Sequence, residues 1–348
     1  MKILALDLGK SNSVGCIFET ADSSHRFVTV RSSPRELHAL LVEQSPARVV
    51  FEIGTSAGWL YDLAASLGLD VEVANPNHEG WRWRNVKKKT DRADALKLAR
   101  LSAAEPLPQV HMPSRAVREM RALIGYRQQW VRRRTAIKNG IRSLLQRQGL
   151  EMQSTSAAWS VEGLAYLGSL GRPWAALECD ALWRGQLQEE LEALAALGEQ
   201  LARVEEKLDA LGRTNPSVIL LQTIPGVGPR TAEALVAVLD NPHRFGSSKE
   251  VGSYVGLTPR QYQSGSMDRR GRISKQGNAL LRRLLVEVSW LALRYNPHLR
   301  QVYLRIQGGS RSRRKIAIVA VARKLLVWSW AMLREGQRWR PSPVTEAA

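Results

Sequence analysis

Cysteine is nearly absent from this sequence: Cys16 and Cys179 are the only two in 348 residues, far apart and without metal-ligand company. That excludes a disulfide framework and a zinc site, and both read as packing residues. Long apolar runs are missing as well. No stretch approaches the roughly 20 residues of a membrane span, and the N-terminus reaches Asp7 too soon for a secretory signal. A soluble, cytoplasmic protein with no membrane partner is therefore expected. Acid is scarce beside base, with 32 Asp and Glu against 51 Lys and Arg and a formal charge of +19. Such an imbalance argues against a small neutral ligand and for a polyanion, nucleic acid first.

What is present starts with a set of short apolar runs. "KILALDL" reads as a buried strand, Gly9 and Ser11 to Ser13 supply a turn, and "VGCIF" and "RFVTV" follow as further strands. "SPRELHALLVEQ" has helical periodicity with Ser33 as its cap, "ARVVFEIG" is a strand carrying Glu52 near its end, residues 56–67 are helical, and "DVEVANP" is a fifth strand. The next helix opens at "TDRADALKLA", with Thr90 as N-cap and Asp91 and Asp94 three residues apart on one face.

Three strands, helix, strand, helix, strand, helix is the order of the ribonuclease H-like fold, in which the first and fourth strands are neighbours. Asp7 and Glu52 then sit side by side, and the helix from Thr90 can bring Asp91 and Asp94 to the same edge. Four carboxylates this close repel unless a cation intervenes, and a hard divalent ion supplies it. Each acid has a plainer explanation. Asp91 and Asp94 offset a helix dipole, and Asp7 in "DLG" can be a turn former, or can handle ATP phosphates as in the actin and sugar-kinase fold. Glu52, inside the apolar run "VVFEIG", is costly to bury without a partner.

The middle of the chain is basic and then acidic. "WRWRNVKKK" interleaves Trp81 and Trp83 with Arg82, Arg84, Lys87, Lys88 and Lys89, suited either to stacking on bases beside phosphates or to a solvated basic loop. Residues 111–147 hold ten Lys and Arg, among them Arg132, Arg133 and Arg134, against the single acid Glu119, on a helical pattern that fits a nucleic-acid backbone. Between Trp183 and Leu211, leucines at alternating spacings of three and four with acidic outer faces read as a coiled-coil arm or as a long helix packed on its own domain.

Farther on, "LQTIPGVGPRTAEALVAVLD" reads as a helix-hairpin-helix whose Gly226 and Gly228 let backbone amides approach phosphate; some such hairpins serve only as packing units. In "TPRQYQSGSMDRRGRISKQGN", Ser264 and Ser266 lie between Arg260 and the group Arg269, Arg270, Arg272 and Lys275. A serine hydroxyl needs a base, a metal or an activated phosphate to act as a nucleophile, and no histidine is near in sequence. Taken alone, serine and glycine in such a basic stretch are more often a flexible phosphate-binding turn than a nucleophile. Three regions are expected: 1–110 with the carboxylates, 111–212 with the basic helix and coiled coil, and 213–348, mainly helical.

These stretches, in this order, resemble the DEDD-type insertion-sequence transposases, which join a RuvC-like N-terminal domain to a serine-bearing C-terminal domain and are bridge-RNA-guided recombinases. "ALDLGKSNS", "FEIGTSAGWLYDLA", "VANPNHEGWRWRNVKKKTDRADALKLA", "LQTIPGVGPRTA" and "VGLTPRQYQSGSMDRRGRISKQGNALLRRLL" carry the resemblance over nearly the whole chain. Residues 151–184 lack such a signature. The resemblance implies Asp7, Glu52, Asp91 and Asp94 as ligands of Mg2+, one ion or two, and Ser264 as a nucleophile forming a phosphoserine link to DNA, with Ser266 its competitor. It also implies a structured non-coding guide RNA, donor and target DNA, and a homo-oligomer with composite sites. Two other classes compete: a junction nuclease in which water attacks and Ser264 is passive, and a non-catalytic RNA-binding scaffold.

Overall fold

The structure is a computed structural model that describes residues 1–75, 90–104, 107, 109–152, 156–265 and 267–340, with Arg270 described by its backbone alone. The chain forms two compact units, Met1–Arg118 and Glu119–Ala348. Residues 119–212 and 213–340, assigned to separate regions from sequence, lie in the same unit.

The first unit is built on a five-stranded sheet: β1 (Lys2–Asp7), β2 (Asn12–Glu19), β3 (His25–Arg31), β4 (Arg48–Glu52) and β5 (Asp70–Ala74), ordered 3-2-1-4-5. β1 pairs antiparallel with β2 and parallel with β4. Helices α1 (Pro34–Gln44) and α2 (Ala57–Ser66) cover one face and α3 (Asp91–Ala104) the other. This is the ribonuclease H-like order the sequence led us to expect. Alternation along the strands decides which side chain meets which layer. Leu4, Leu6, Val49 and Phe51 pack with α1 and α2, whereas Ile3, Ala5 and Val50 pack with Ala95, Leu98 and Ala99 of α3. Ser33 caps α1 by accepting from the Glu36 amide, and Thr90 caps α3 by accepting from the Ala93 amide at 3.3 Å.

The second unit is helical around one hairpin. α4 (Arg115–Arg147), whose first turn belongs to the first unit, and α6 (Leu182–Thr214) are 33 residues each. They run antiparallel: Arg127 Nε donates to Glu205 at 2.8 Å near one end, and Ile141, Leu144 and Leu145 share a core with Leu187 and Leu194 near the other. α5 (Val161–Leu170) joins that core through Leu167. The leucine stripe of α6 is thus buried against helices of its own chain. The larger core gathers α7 (Pro216–Leu221), α8 (Pro229–Leu239), α9 (Ser248–Val255), α10 (Ala279–Tyr295), α11 (Pro297–Gln307) and α12 (Arg314–Glu335). Between α9 and α10 stands a two-stranded hairpin, β6 (Pro259–Ser264) and β7 (Met267–Ile273), in a region expected to be mainly helical.

One expectation is corrected. Residues Arg311–Glu335 are long and apolar enough, by length and composition, to cross a bilayer. The sequence hid this because Arg323 and Lys324 interrupt the run. Within the fold, α12 contributes Ala317, Ile318, Val321, Leu325 and Leu326 to the main core.

Candidate active site

Asp7 and Glu52 are the last residues of β1 and β4, whose register pairs Leu6 with Phe51 immediately before them. Adjacent strands lie about 4.8 Å apart. Asp7 shares the parity of Ile3 and Ala5, and Glu52 that of Val50, so both half-buried carboxylates face the α3 side. The loop after Asp7 is pinned. Ser32 Oγ donates to the Gly9 carbonyl at 2.7 Å, leaving Ser13 as donor in the 2.7 Å Ser13–Ser32 bond. Gly9 is required there, because a Cβ would lie 2.2 Å from the Asn12 carbonyl oxygen.

α3 runs antiparallel to β4. Arg48, which opens β4, donates to the Ser102 carbonyl at 3.1 Å, and Ser102 Oγ donates to Glu72 at 2.6 Å. Glu72 is buried with Arg48 at 3.1 Å, a structural ion pair that fixes the far end of the helix. The start of α3 therefore lies at the C-terminal ends of β1 and β4. Asp94 is half-buried in line with buried Ala95 and Leu98, and Asp91 is exposed one turn earlier. Lys97, unremarked in the sequence, belongs to this group. Burial lowers its proton affinity, while Asp94 and Glu52 act in the opposite direction.

Asp7, Glu52 and Asp94 thus share one edge, with Asp91 at its rim. Among the described residues no three His, Cys, Asp or Glu side chains stand together closely enough to hold one ion. The donor set nevertheless fits a hard divalent cation: carboxylate oxygens alone, two of them on adjacent strand ends, half-exposed and so open to water and phosphate.

Ser264 ends β6, opposite Met267, at the tip of a hairpin whose β6 residues are all exposed. Arg269 stands opposite Tyr262, Arg270 opposite Gln261, and Gln261 donates to Asp268 at 2.9 Å. Arg260, Arg269, Arg272 and Lys275 are exposed. The base of the hairpin is held by Arg282, whose Nη1 donates to the carbonyls of Val255, Gln276 and Gly277 at 3.0, 2.5 and 3.1 Å. From sequence these residues read as a phosphate-binding turn, although Gly-Ser between two short runs is itself a hairpin signal. Ser266 lies outside the described residues.

The basic helix divides its charges. Arg121 donates to the Ala237 and Val238 carbonyls, closing the end of α8, and Arg127 pairs with Glu205. Arg132 and Arg133 are exposed and Arg134 half-buried, with Arg133 4.7 Å above the Trp130 ring. Arg134 and Arg142 add to burial in lowering the proton affinity of Lys138, and Lys138 and Arg142 both lie over the Trp159 ring, forming a cationic strip. Gly226 has φ +93°, and a Cβ there would lie 3.0 Å from Ala292 Cα of α10. Its demand for glycine is met by helix packing. Gly228 caps α8 with open space around it. Trp81, Arg82, Trp83, Arg84, Lys87, Lys88 and Lys89 lie outside the described residues.

Comparison with known proteins places these features in a family. A model described as Transposase, for the DEDD enzymes of IS110, matches residues 4–148, and one described as Transposase IS116/IS110/IS902 family matches residues 219–304. The transposase for insertion sequence element IS1111A of Coxiella burnetii is 28% identical over 300 residues, covering 84% of this chain and 79% of that protein. A putative transposase of Sinorhizobium fredii, y4pF/y4sB, is 27% identical over 97% of this chain and 86% of its own. The pilin gene-inverting protein of Moraxella lacunata is 27% identical over 81% of this chain and 79% of its own. The Thermus thermophilus RuvC structure aligns over 32% of this chain and 100% of its own at 15% identity, with a TM-score of 0.23. That score is too low to bear on the fold, which rests on the strand order. With one transposase model over the carboxylate edge and the other over the Ser264 hairpin, the chain belongs to the DEDD-type insertion-sequence transposases and is an enzyme of DNA recombination.

Proposed function

We propose that this transposase is an RNA-guided recombinase that cuts and exchanges DNA strands through a phosphoserine link. The observation that carries the catalytic part is the register of β1 and β4, which ends both strands in an acid on the face covered by α3. Asp7, Glu52 and Asp94, with Asp91 at the rim, are the residues that would hold Mg2+. A divalent ion there supplies charge stabilisation to the oxygens of a phosphodiester under displacement.

Ser264 is the nucleophile. Its Oγ attacks phosphorus, an Oγ–P bond forms as one P–O bond of the backbone breaks, and the leaving hydroxyl takes up a proton. The number of phosphoester bonds is unchanged, so a second DNA hydroxyl can reverse the exchange and rejoin a strand without external energy. Exposure at a hairpin tip suits a serine that must reach a phosphate held elsewhere, and Arg260, Arg269, Arg270, Arg272 and Lys275 are suited to that phosphate's charge. Arg132, Arg133 and Arg134, together with the 81–89 segment, supply sequence-independent grip on nucleic acid. The guide RNA supplies sequence recognition, since backbone contacts of this kind carry none. The working form is a cytoplasmic homo-oligomer in which carboxylates of one subunit serve the serine of another.

The test is to incubate the protein with element-derived RNA, donor and target duplexes and Mg2+, and to score recombinant junctions and covalent protein–DNA adducts. Junctions that need the RNA, and adducts lost in Ser264→Ala, are expected. Cleavage that survives Ser264→Ala with no adduct in the wild type points instead to a nuclease using water.

A further inference from the structure

Lys97 is a cation that the fold sets beside Asp94 and Glu52 on the α3 edge, and its position follows from geometry. Ser102 of α3 is hydrogen-bonded to Arg48, at the start of β4. Moving back along the helix at 1.5 Å per residue, Lys97 lies about 7 Å and Asp94 about 12 Å from that anchor. β4 climbs about 13 Å from Arg48 to Glu52. Asp94 is therefore level with Glu52, and Lys97 is one turn short of both, near enough for a four-carbon side chain to bring its ammonium up to them. Residues three apart on a helix are neighbours, so Lys97 flanks Asp94 directly. The half-buried position of Lys97, and the pull that Asp94 and Glu52 exert on its charge, agree with this placement.

We propose that Lys97 is a resident cation of the carboxylate edge, holding Asp94 and Glu52 by its ammonium and competing with the divalent ion for them, so that it sets the metal concentration at which the site loads. The inference rests on the carboxylate edge being the metal site. A unit charge about 6 Å from a divalent ion, screened as in water, changes that ion's affinity by about tenfold. Lys97 is thus a positioning residue: it orders the acids and weakens metal binding, keeping the site responsive to the supply of metal.

The experiment is a Mn2+ titration of the full-length protein followed by electron paramagnetic resonance, with Lys97→Met, Lys97→Arg, Asp7→Asn and Glu52→Gln. Lys97→Met should bind Mn2+ about tenfold more tightly than the wild type, and Lys97→Arg should match the wild type because the charge is kept. Lys97→Gln replaces the methionine variant if that one fails to fold. A neutral variant with wild-type or weaker Mn2+ affinity overturns the proposal, while a site that Asp7→Asn and Glu52→Gln still abolish leaves the metal-site reading intact. If the wild type shows no Mn2+ binding that those two substitutions remove, both ideas fall. A merely structural lysine would alter melting temperature without this charge-dependent change in affinity.

Discussion

Replacing Glu233 by glutamine should change how stability depends on pH, and the size of the change can be worked from the structure. Glu233 lies on α8 with its side chain 1% exposed, paired with Arg230 Nη1 at 3.0 Å. Arg230 also pairs with Asp209, and Arg127 stands nearby on α4. Among the described residues, Oε1 of Glu233 has no hydrogen-bond partner. Burial pushes the carboxyl up to about 7 and Asp209 pushes the same way, with Arg230 and Arg127 opposing them. The folded value is thus above the ordinary 4.5. Between pH 4.5 and about 7 the folded chain keeps a proton that the unfolded chain has released. Stability from this group is therefore full at pH 4.5 and below, falls as pH rises toward 7, and is flat above that. At about 1.4 kcal/mol per unit, the loss is about 3 kcal/mol. Glu233→Gln keeps the shape and removes the titration. Urea unfolding of both proteins at pH 5, 6, 7 and 8 and constant salt, following the transition of the second unit, gives a stability difference in which other acids cancel. That difference should move in favour of glutamine by about 2.5 kcal/mol from pH 5 to pH 8, the rest of the loss having occurred below pH 5. A difference flat across the range would refute the reasoning and mean that Arg230 fully compensates the burial.

Other consequences are narrower. Gly226→Ala should cost about 2 to 4 kcal/mol in urea unfolding, from its left-handed backbone and the contact with Ala292, whereas Gly228→Ala should cost about 1 kcal/mol or less as a change of N-cap. Arg282→Ala should speed hydrogen exchange throughout the 259–273 hairpin by removing the donor to three carbonyls, while Arg269→Ala leaves exchange unchanged and weakens DNA binding. Asp7→Asn should retain the wild-type far-UV circular dichroism and lose strand cleavage by about a thousandfold, the scale of removing a main electrostatic contributor to a displacement.

The sheet was legible because each strand is a short apolar run ended by a turn former or an acid, and the order of runs and helical stretches leaves few topologies open. The pairing of Asp7 with Glu52 followed from that order alone. The Ser264 hairpin was not legible, for a physical reason: Pro259–Ser264 is exposed throughout, so neither face of β6 needs apolar residues and no alternation marks the strand. Gly226 announced a backbone need, but the neighbour imposing it, Ala292, lies on α10. α12 was overlooked because Arg323 and Lys324 interrupt an otherwise apolar helix that the core nonetheless buries.

Lys97 shows where sequence reasoning stops. In "TDRADALKLA" it is an ordinary helical lysine, and periodicity predicts only that Asp91, Asp94, Ala95 and Leu98 share a face. Two further facts carry the proposal that it is part of a site: the direction in which α3 crosses the sheet, set by Arg48 and Ser102 at the far end, and the rise of β4 from Arg48 to Glu52, which brings Glu52 level with Asp94. Both are long-range. The placement of Asp7 and Glu52 on neighbouring strand ends was therefore readable from residue types and order, whereas the counter-charge proposed beside them depends on a hydrogen bond between residues 54 positions apart. If that anchor is removed, as in Arg48→Ala, α3 loses its fixed height against β4. The metal affinity of the edge should then vary with helix position as well as with charge, and Lys97→Met should have a smaller effect in that background than in the wild type, since coupled sites do not add.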